Sequence, residues 1–352
     1  MTHDPFAAAR PLPSLPPVEP LDGRRPRLLA HLLRYMDWHQ GGAETSMHRI
    51  LKGLQARGWE VQVAVMENRA PLPLVREWDG IRIQVLTDQH LAGPYAWCDL
   101  AITHLDVTPG AMAWARSGRP LLHYVHHHLQ RGHHKGPDDG LNIAVFNSAW
   151  IRDAVPWSGP SIVCRPPVVA SAHRTTNAKR STAKTATLVN LLGEKGGDLF
   201  WRVAARLPDW TFLGVTGSYG YQTPAPDLPN VEVSAPSTDM APVWKRTSVV
   251  AVPSWYESFS LSGTEAMASG IAVVASPTAG LVESMTSPEH GPCAVFADWN
   301  EDDQWVAALE RLATPAEWRK QSKLSKVRSG ELDVQTTSDL DRLDVFCRSL
   351  LT

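Results

Sequence analysis

The 352-residue sequence predicts an α/β protein of two Rossmann-like, doubly wound domains whose parallel sheets face a central cleft. Three observations point there. Short apolar runs alternate with helix-compatible segments, the series breaks at a polar aperiodic stretch, and it then starts again. Runs that are apolar at every position suit strands covered on both faces, and alternation with helices suits parallel pairing. In such sheets ligands bind at the carboxyl ends of strands, so chemistry-bearing residues are expected just after the runs.

The first series comprises RLLAHLL (27–33), VQVAVM (61–66), IRIQVL (81–86), DLAITH (99–104), PLLHYVH (120–126) and LNIAVF (141–146). Between the first two runs, SMHRILKGLQARG places Met47, Ile50, Leu51 and Leu54 on one helical face, with Gly58 set to end the helix. After SIVCRPPVV comes ASAHRTTNAKRSTAKTA, which has no periodicity and reads as part of a linker over 166–186. The second series comprises TLVNLL (187–192), WTFLGVT (210–216), VEVSA (231–235), SVVAVPS (248–254), IAVVAS (271–276) and CAVFAD (293–298). The expected organisation is a Pro-rich arm (1–25), a first domain (26–165), the linker, and a second domain (187–328). A helical segment (329–352) is expected to pack back on the first domain.

A hydrophobic fraction of 43% with 20% charged residues is that of a soluble globular chain. A net charge of −2 excludes a global attraction to nucleic acid or anionic membrane, so such a partner needs a local patch. Cys98, Cys164, Cys293 and Cys347 form no CxxC pair and read as reduced thiols, which predicts a cytoplasmic location. No apolar run reaches the roughly 18–20 residues of a membrane span. The N-terminal MTHDPFAAARPLPSLPPVEP lacks the basic-then-apolar order of a signal peptide.

The stretch PSWYESFSLSGTEAMASGIAVVAS (253–276) is the most informative. SVVAVPS is a strand, GTEAMASG opens a helix that ends at Gly270, and WYESFSLS is the loop between them. Glu257 then lies in the loop at the strand's carboxyl end, and Glu265 at or near the first turn of the helix. A carboxylate accepts two hydrogen bonds at once, which suits a vicinal diol such as a ribose. Free N–H groups at the helix start suit a phosphate. The plainer alternative is a solvated Glu257 and a Glu265 that complements the helix dipole.

This stretch closely resembles the E-x7-E signature of retaining GT-B glycosyltransferases of the large family four, and the resemblance runs in order through residues 27 to 300. It implies transfer of a sugar from a nucleoside diphosphate sugar, of UDP or GDP type, to an acceptor hydroxyl with retention of configuration. Glu257 would lie near the donor sugar, Glu265 would bind the ribose, and backbone amides of Ser258, Phe259, Ser260 and Leu261 would meet the sugar and diphosphate. Family members often carry Gly where this chain has Ser260. In NLLGEKGGDLF, Lys195 matches the family lysine that neutralises the diphosphate, while the arginine five positions earlier is Asn190 here. An amide donates to phosphate but adds no charge, so Arg165 or Arg246 is a candidate substitute cation.

HQGGAETSMHRIL matches the family's glycine loop, in which Gly41 and Gly42 would meet donor phosphates or acceptor. His126 matches a histidine that faces the donor sugar and acceptor. Glu283, in TAGLVES, would lie near the nucleotide, and Asn147–Ser148 lead into a helix, with an N-cap as the plain reading of Ser148. The neighbouring His123, His127, His128, His133 and His134 have no Cys or carboxylate framework at metal-ligand spacing. They read instead, with Arg131 and Lys135, as a polar loop (123–135) able to attract an anionic acceptor or nucleic acid. Asp138–Asp139 and Asp339–Asp341 are not placed like a D-x-D metal site, so no metal and no cofactor beyond the donor sugar nucleotide are expected. Lys195 and helix dipoles would carry the leaving-group charge, and the leaving phosphate would take the acceptor proton.

The acceptor stays open among a glycan or lipid reached by peripheral membrane contact, a small molecule, and a hydroxylated nucleic-acid base. Two rival readings remain: a weak or inactive protein of this fold that binds nucleotide sugars or a partner, and a sugar-nucleotide epimerase.

Overall fold

The computed structural model describes residues 21–351 apart from 22, 38, 40, 70, 87–91, 106–110, 112, 113, 115, 116, 129–140, 177–179 and 238. The chain divides into two compact units, one of residues 1–167 with 337–352 and the other of residues 168–336. The Pro-rich arm through residue 20 and most of the basic loop, 129–135, lie outside the described residues.

In the first unit, β1 (Arg27–Leu32) runs into α1 (Gly42–Ala56) and β2 (Glu60–Val65). β3 (Val75–Trp78) and β4 (Ile81–Val85) follow, then α2 (Ala92–Trp97), β5 (Leu100–His104), β6 (Leu121–Val125), β7 (Asn142–Phe146), α3 (Ala149–Ala154) and β8 (Ser161–Val163). The eight strands are ordered β3-β4-β2-β1-β5-β6-β7-β8, parallel except for the β3–β4 pair. The order reverses between β1 and β5, the switch point at which such sheets bind ligands. Met47, Ile50, Leu51 and Leu54 of α1 are buried against strand residues such as Leu28, Ala30 and Val63, and Gly58 ends the helix at φ 92°.

The β3–β4 hairpin departs from the sequence reading. Asp79 and Gly80 both take positive φ (48° and 69°) and join the strands in a two-residue turn, the geometry an Asp-Gly pair favours. A dipeptide signal was present in EWDGIRI, but β3 is half exposed and too polar to stand out as an apolar run.

In the second unit, β9 (Thr185–Val189), α4 (Gly197–Arg206), β10 (Thr211–Val215), β11 (Val231–Ser234), α5 (Ala241–Arg246) and β12 (Val249–Val252) are followed by α6 (Leu261–Ala268), β13 (Ala272–Ala275) and α7 (Ala279–Met285). The short β14 (Thr286–Ser287) and β15 (Gly291–Pro292) pair with each other, and β16 (Val295–Phe296) closes a six-stranded parallel sheet. Its order is β11-β10-β9-β12-β13-β16, with the switch point between β9 and β12. α8 (Asp302–Leu312) and the long α9 (Pro315–Ser349) complete the chain. α9 gives its residues through Thr336 to the second unit; from Thr337 on, Leu340, Leu343 and Cys347 join the first unit's core.

The stretch read as a linker is part of the second unit from Val168 onward. The reason is Arg180, which is buried and donates to the carbonyls of Ser269 and Trp244 (2.9 Å each). A side chain with five fixed donors thus ties an aperiodic segment to the domain, where apolar periodicity shows nothing.

Candidate functional site

The residues singled out in the second half gather at one edge of its sheet. The loop after β12 carries Glu257, and the turn after β9 carries Lys195, so both belong to the switch point. Lys195 Nζ donates to Glu257 Oε2 at 2.9 Å and lies 3.5 Å from the Tyr256 carbonyl. Both side chains are mostly buried (19% and 16% exposed). Burial alone would lower the Lys195 ammonium. The facing carboxylate outweighs it and holds the lysine above its ordinary value.

Two glycines set where this pair stands. Gly196 has φ 84°, and a Cβ there would come within 2.5 Å of the Pro253 carbonyl oxygen, so the turn after β9 rests directly on the loop after β12. On the other side, a Cβ on Gly280 of α7 would lie 2.2 Å from the Glu257 carbonyl oxygen and 2.5 Å from that of Ser258. The loop that carries Glu257 is therefore gripped from both sides, at Pro253 and at Glu257–Ser258, at distances only glycine permits. The Trp255 N–H completes the grip, donating to the Glu194 carbonyl at 3.2 Å.

Glu265 sits just past the first turn of α6 and is buried with its Oε1 3.9 Å from His173 Nε2. Phe259 turns inward to pack with Val168 and Leu332. Ser260 caps α6, accepting from the Gly263 N–H at 3.3 Å, while its own backbone has φ 68°. That left-handed conformation explains why glycine suits this position. Leu261 is the first residue of the helix, and Ser258 stands in the loop beside Gly280. Glu283 is half-buried on α7, and its backbone carbonyl accepts from Arg328 at 3.0 Å.

Asn190 follows β9 directly and also has positive φ, 73°. Of the candidate substitute cations, Arg246 does not stand with it. Arg246 ends α5, at the opposite edge of the sheet, paired with Glu232 at 2.5 Å. Arg165 belongs to the first unit, where it pairs with the buried Asp339 at 2.9 Å. Asp339 also pairs with Arg342, and Asp341 with Arg57, so the DLD segment is occupied by structural ion pairs.

The first unit's own carboxyl edge is histidine-rich. His126 follows β6, buried, with Nε2 3.1 Å from Nδ1 of His104 at the end of β5. Burial pushes His104 down to about 3, so it is neutral at ordinary pH. Sequence reading passed over His104; its signal was its place as the last residue of a strand next to that of His126. His123, expected in a polar loop, is buried in β6 and bonded to Asn142 Oδ1 at 3.0 Å. The strand runs to Val125, so the alternation of its faces decides this histidine's place, and His127 and His128 stack on each other beyond it. Gly41 caps α1 and Gly42 begins it, with no atom within 4 Å of a Cβ built at Gly42. Ser148 is the N-cap of α3, but its hydroxyl donates to Asn147 Oδ1 (3.1 Å) and makes no cap bond.

The two doubly wound units with these edges place the chain among GT-B glycosyltransferase folds. Among solved structures it is similar to sucrose-phosphate synthase from Thermosynechococcus elongatus (TM-score 0.71, 18% identity, 93% of this chain and 99% of that one). It is also similar to HepE of Anabaena in complex with UDP and glucose (TM-score 0.65, 17% identity, 90% and 100%). More particularly, residues 184–314 match the family described as glycosyl transferases group 1, so the second unit holds a group 1, family-four type glycosyltransferase domain. Curated relatives include D-inositol 3-phosphate glycosyltransferases. That of Corynebacterium diphtheriae is 37% identical over 92 residues, 26% of this chain and 21% of that protein. That of Mycobacterium ulcerans is 30% identical over 131 residues, 34% and 28%. The chain thus spans about a sixth to just under a third of the curated relatives it matches. No described helix is long and apolar enough to cross a membrane.

Proposed function

We propose that the protein transfers a sugar from a nucleoside diphosphate sugar to an acceptor hydroxyl, with retention of configuration and without a metal in the chemistry. The observation that carries this reading is the Lys195–Glu257 pair, held at the switch point by glycines on both sides. Lys195 would neutralise the diphosphate, exchanging its Glu257 partner for phosphate oxygens. Glu257 would then accept from donor-sugar hydroxyls. Glu265, buried on the helix after the loop, would accept from the ribose diol. His126, in the other unit, would meet the sugar and the acceptor, with Gly41 and Gly42 at the adjoining helix start. A UDP-type donor fits the UDP-bound structural relatives. The work is taken to occur in the cytoplasm.

A panel of nucleoside diphosphates and their sugars, read by thermal shift without added metal, tests this on wild type and Glu265→Ala. One nucleotide should raise the melting temperature of wild type, and Glu265→Ala should lose most of that rise. No shift with any nucleotide would remove the donor assignment. A shift unchanged in the variant would remove Glu265 from the ribose.

A further inference from the structure

The family's arginine position is filled by Asn190, and its surroundings say what the amide does. Gln222 Oε1 accepts from two backbone N–H groups, those of Leu191 (2.9 Å) and Gly217 (2.7 Å). Backbone N–H groups only donate, so the oxygen and nitrogen of Gln222 are fixed. Its Nε2 must then face acceptors, and it does: the Tyr219 carbonyl at 2.8 Å and Asn190 Oδ1 at 3.3 Å. Asn190 Oδ1 also accepts from the Leu192 N–H at 3.3 Å. The same logic therefore fixes Asn190. Its oxygen is turned inward to two donors, and its Nδ2 points away with no partner among the described residues.

The backbone enforces this seat. Asn190 takes φ 73°, which asparagine tolerates better than most residues. A Cβ at Gly217 would lie 2.4 Å from Asn190 Oδ1, so only glycine at the end of β10 leaves room for the amide. Three backbone donors, one glutamine and one glycine orient a single NH2 group, on a residue at the edge that carries Lys195.

Resting on the donor reading above, we infer that Asn190 Nδ2 is a neutral hydrogen-bond donor to a phosphate oxygen of the nucleoside diphosphate. Gln222 is the positioning residue that fixes its orientation. The site then recognises the diphosphate with one charge, Lys195, and one oriented amide.

The test measures UDP affinity by calorimetry on the full chain, in a double-mutant cycle of Asn190→Ala and Gln222→Glu. Asn190→Ala should weaken UDP roughly five- to tenfold, as for one neutral hydrogen bond. Gln222→Glu keeps an acceptor for the Leu191 and Gly217 N–H groups but cannot donate to Asn190. The asparagine then flips its NH2 inward, and affinity should fall about tenfold or more. The added charge alone would act with or without Asn190, so Gln222→Glu must cost clearly less in the Asn190→Ala background. Asn190→Arg should tighten UDP and steepen its salt dependence. Unchanged affinity in Asn190→Ala, or a Gln222→Glu effect independent of Asn190, would overturn the assignment while leaving the donor reading intact. Failure of wild type to bind UDP while binding another nucleoside diphosphate moves the same cycle to that ligand. Failure to bind any of them overturns both.

Discussion

The two units share an architecture and differ in what they do with polar residues. The second unit sets one ionic pair, Lys195 against Glu257, at the carboxyl edge of its sheet, and carries Glu265 buried on α6. The first unit places histidines inside: His31 within β1, His48 on α1, and His104, His123 and His126 at β5 and β6. All but two of the fourteen histidines of the chain precede residue 168, and those two, His173 and His290, are not buried. The second unit's switch point holds an ionic pair, whereas the first unit encloses histidines, of which His31 and His104 are held neutral by burial. On the proposed function, this difference would divide a donor-binding half from a half shaped for its own acceptor.

The largest test of that division removes the ionic pair. Lys195→Ala is expected to lower turnover by about 10²–10³-fold, the scale of losing one preorganised group that stabilises developing charge. It also leaves the mostly buried Glu257 carboxylate without its cation. Donor-sugar turnover measured against a matched melting curve checks this. A variant with near-normal kinetics would mean that the pair is structural and that the edges do not divide the work.

Acid should reveal the other half. Burial pushes both His31 and His104 down to about 3. Their folded values lie below the unfolded value near 6.5. The stability tied to their neutrality is therefore complete above that pH and is lost as pH falls toward 3. Between pH 6 and pH 5 each should cost about 1 kcal/mol, or about 2 kcal/mol together. His39 and His48, also lowered mainly by burial, add in the same direction. Hydrogen exchange at the two pH values, corrected for intrinsic rates, should show β1 and β5 losing protection while β9 and β12 keep theirs. Equal losses in both units would erase the contrast.

How much of this was legible in the sequence follows the same line. The apolar strands of both sheets, α1 with its buried face, and the loop holding Glu257 were readable because continuous burial writes itself as continuous apolar residues. The buried histidines were not. A titratable residue in a β-strand looks polar, and only the strand's facing decides that His123 is inside. The β3–β4 hairpin was missed although Asp79–Gly80 announces it, since its outer strand is polar. In the second unit, Lys195 and Glu257 could be named, but not the Gly280 contact or the Gln222 bonds, which join residues distant in sequence.

The smallest effect comes from the two positions where the second unit departs from its relatives' pattern. Both take left-handed φ, and they are its only described non-glycine residues to do so. They should respond oppositely to glycine. Ser260 bears φ 68° with one long cap bond of 3.3 Å, and replacing a serine cap by glycine costs only a few tenths of a kcal/mol. Relief of a left-handed backbone returns about 1 kcal/mol or more, partly offset by the larger entropy of glycine in the unfolded chain. Ser260→Gly should therefore stabilise by about 0.5 kcal/mol, a rise of roughly 1–2 °C. Asn190 is in the same backbone region with less strain, and its oxygen satisfies Gln222 and the Leu192 N–H. Asn190→Gly should destabilise by about 1 kcal/mol, because Gln222 Nε2 loses an acceptor. Urea melts of the two variants decide it. A shift of the same sign in both would show that backbone strain governs the two positions alike, and that the asparagine is tolerated there rather than held.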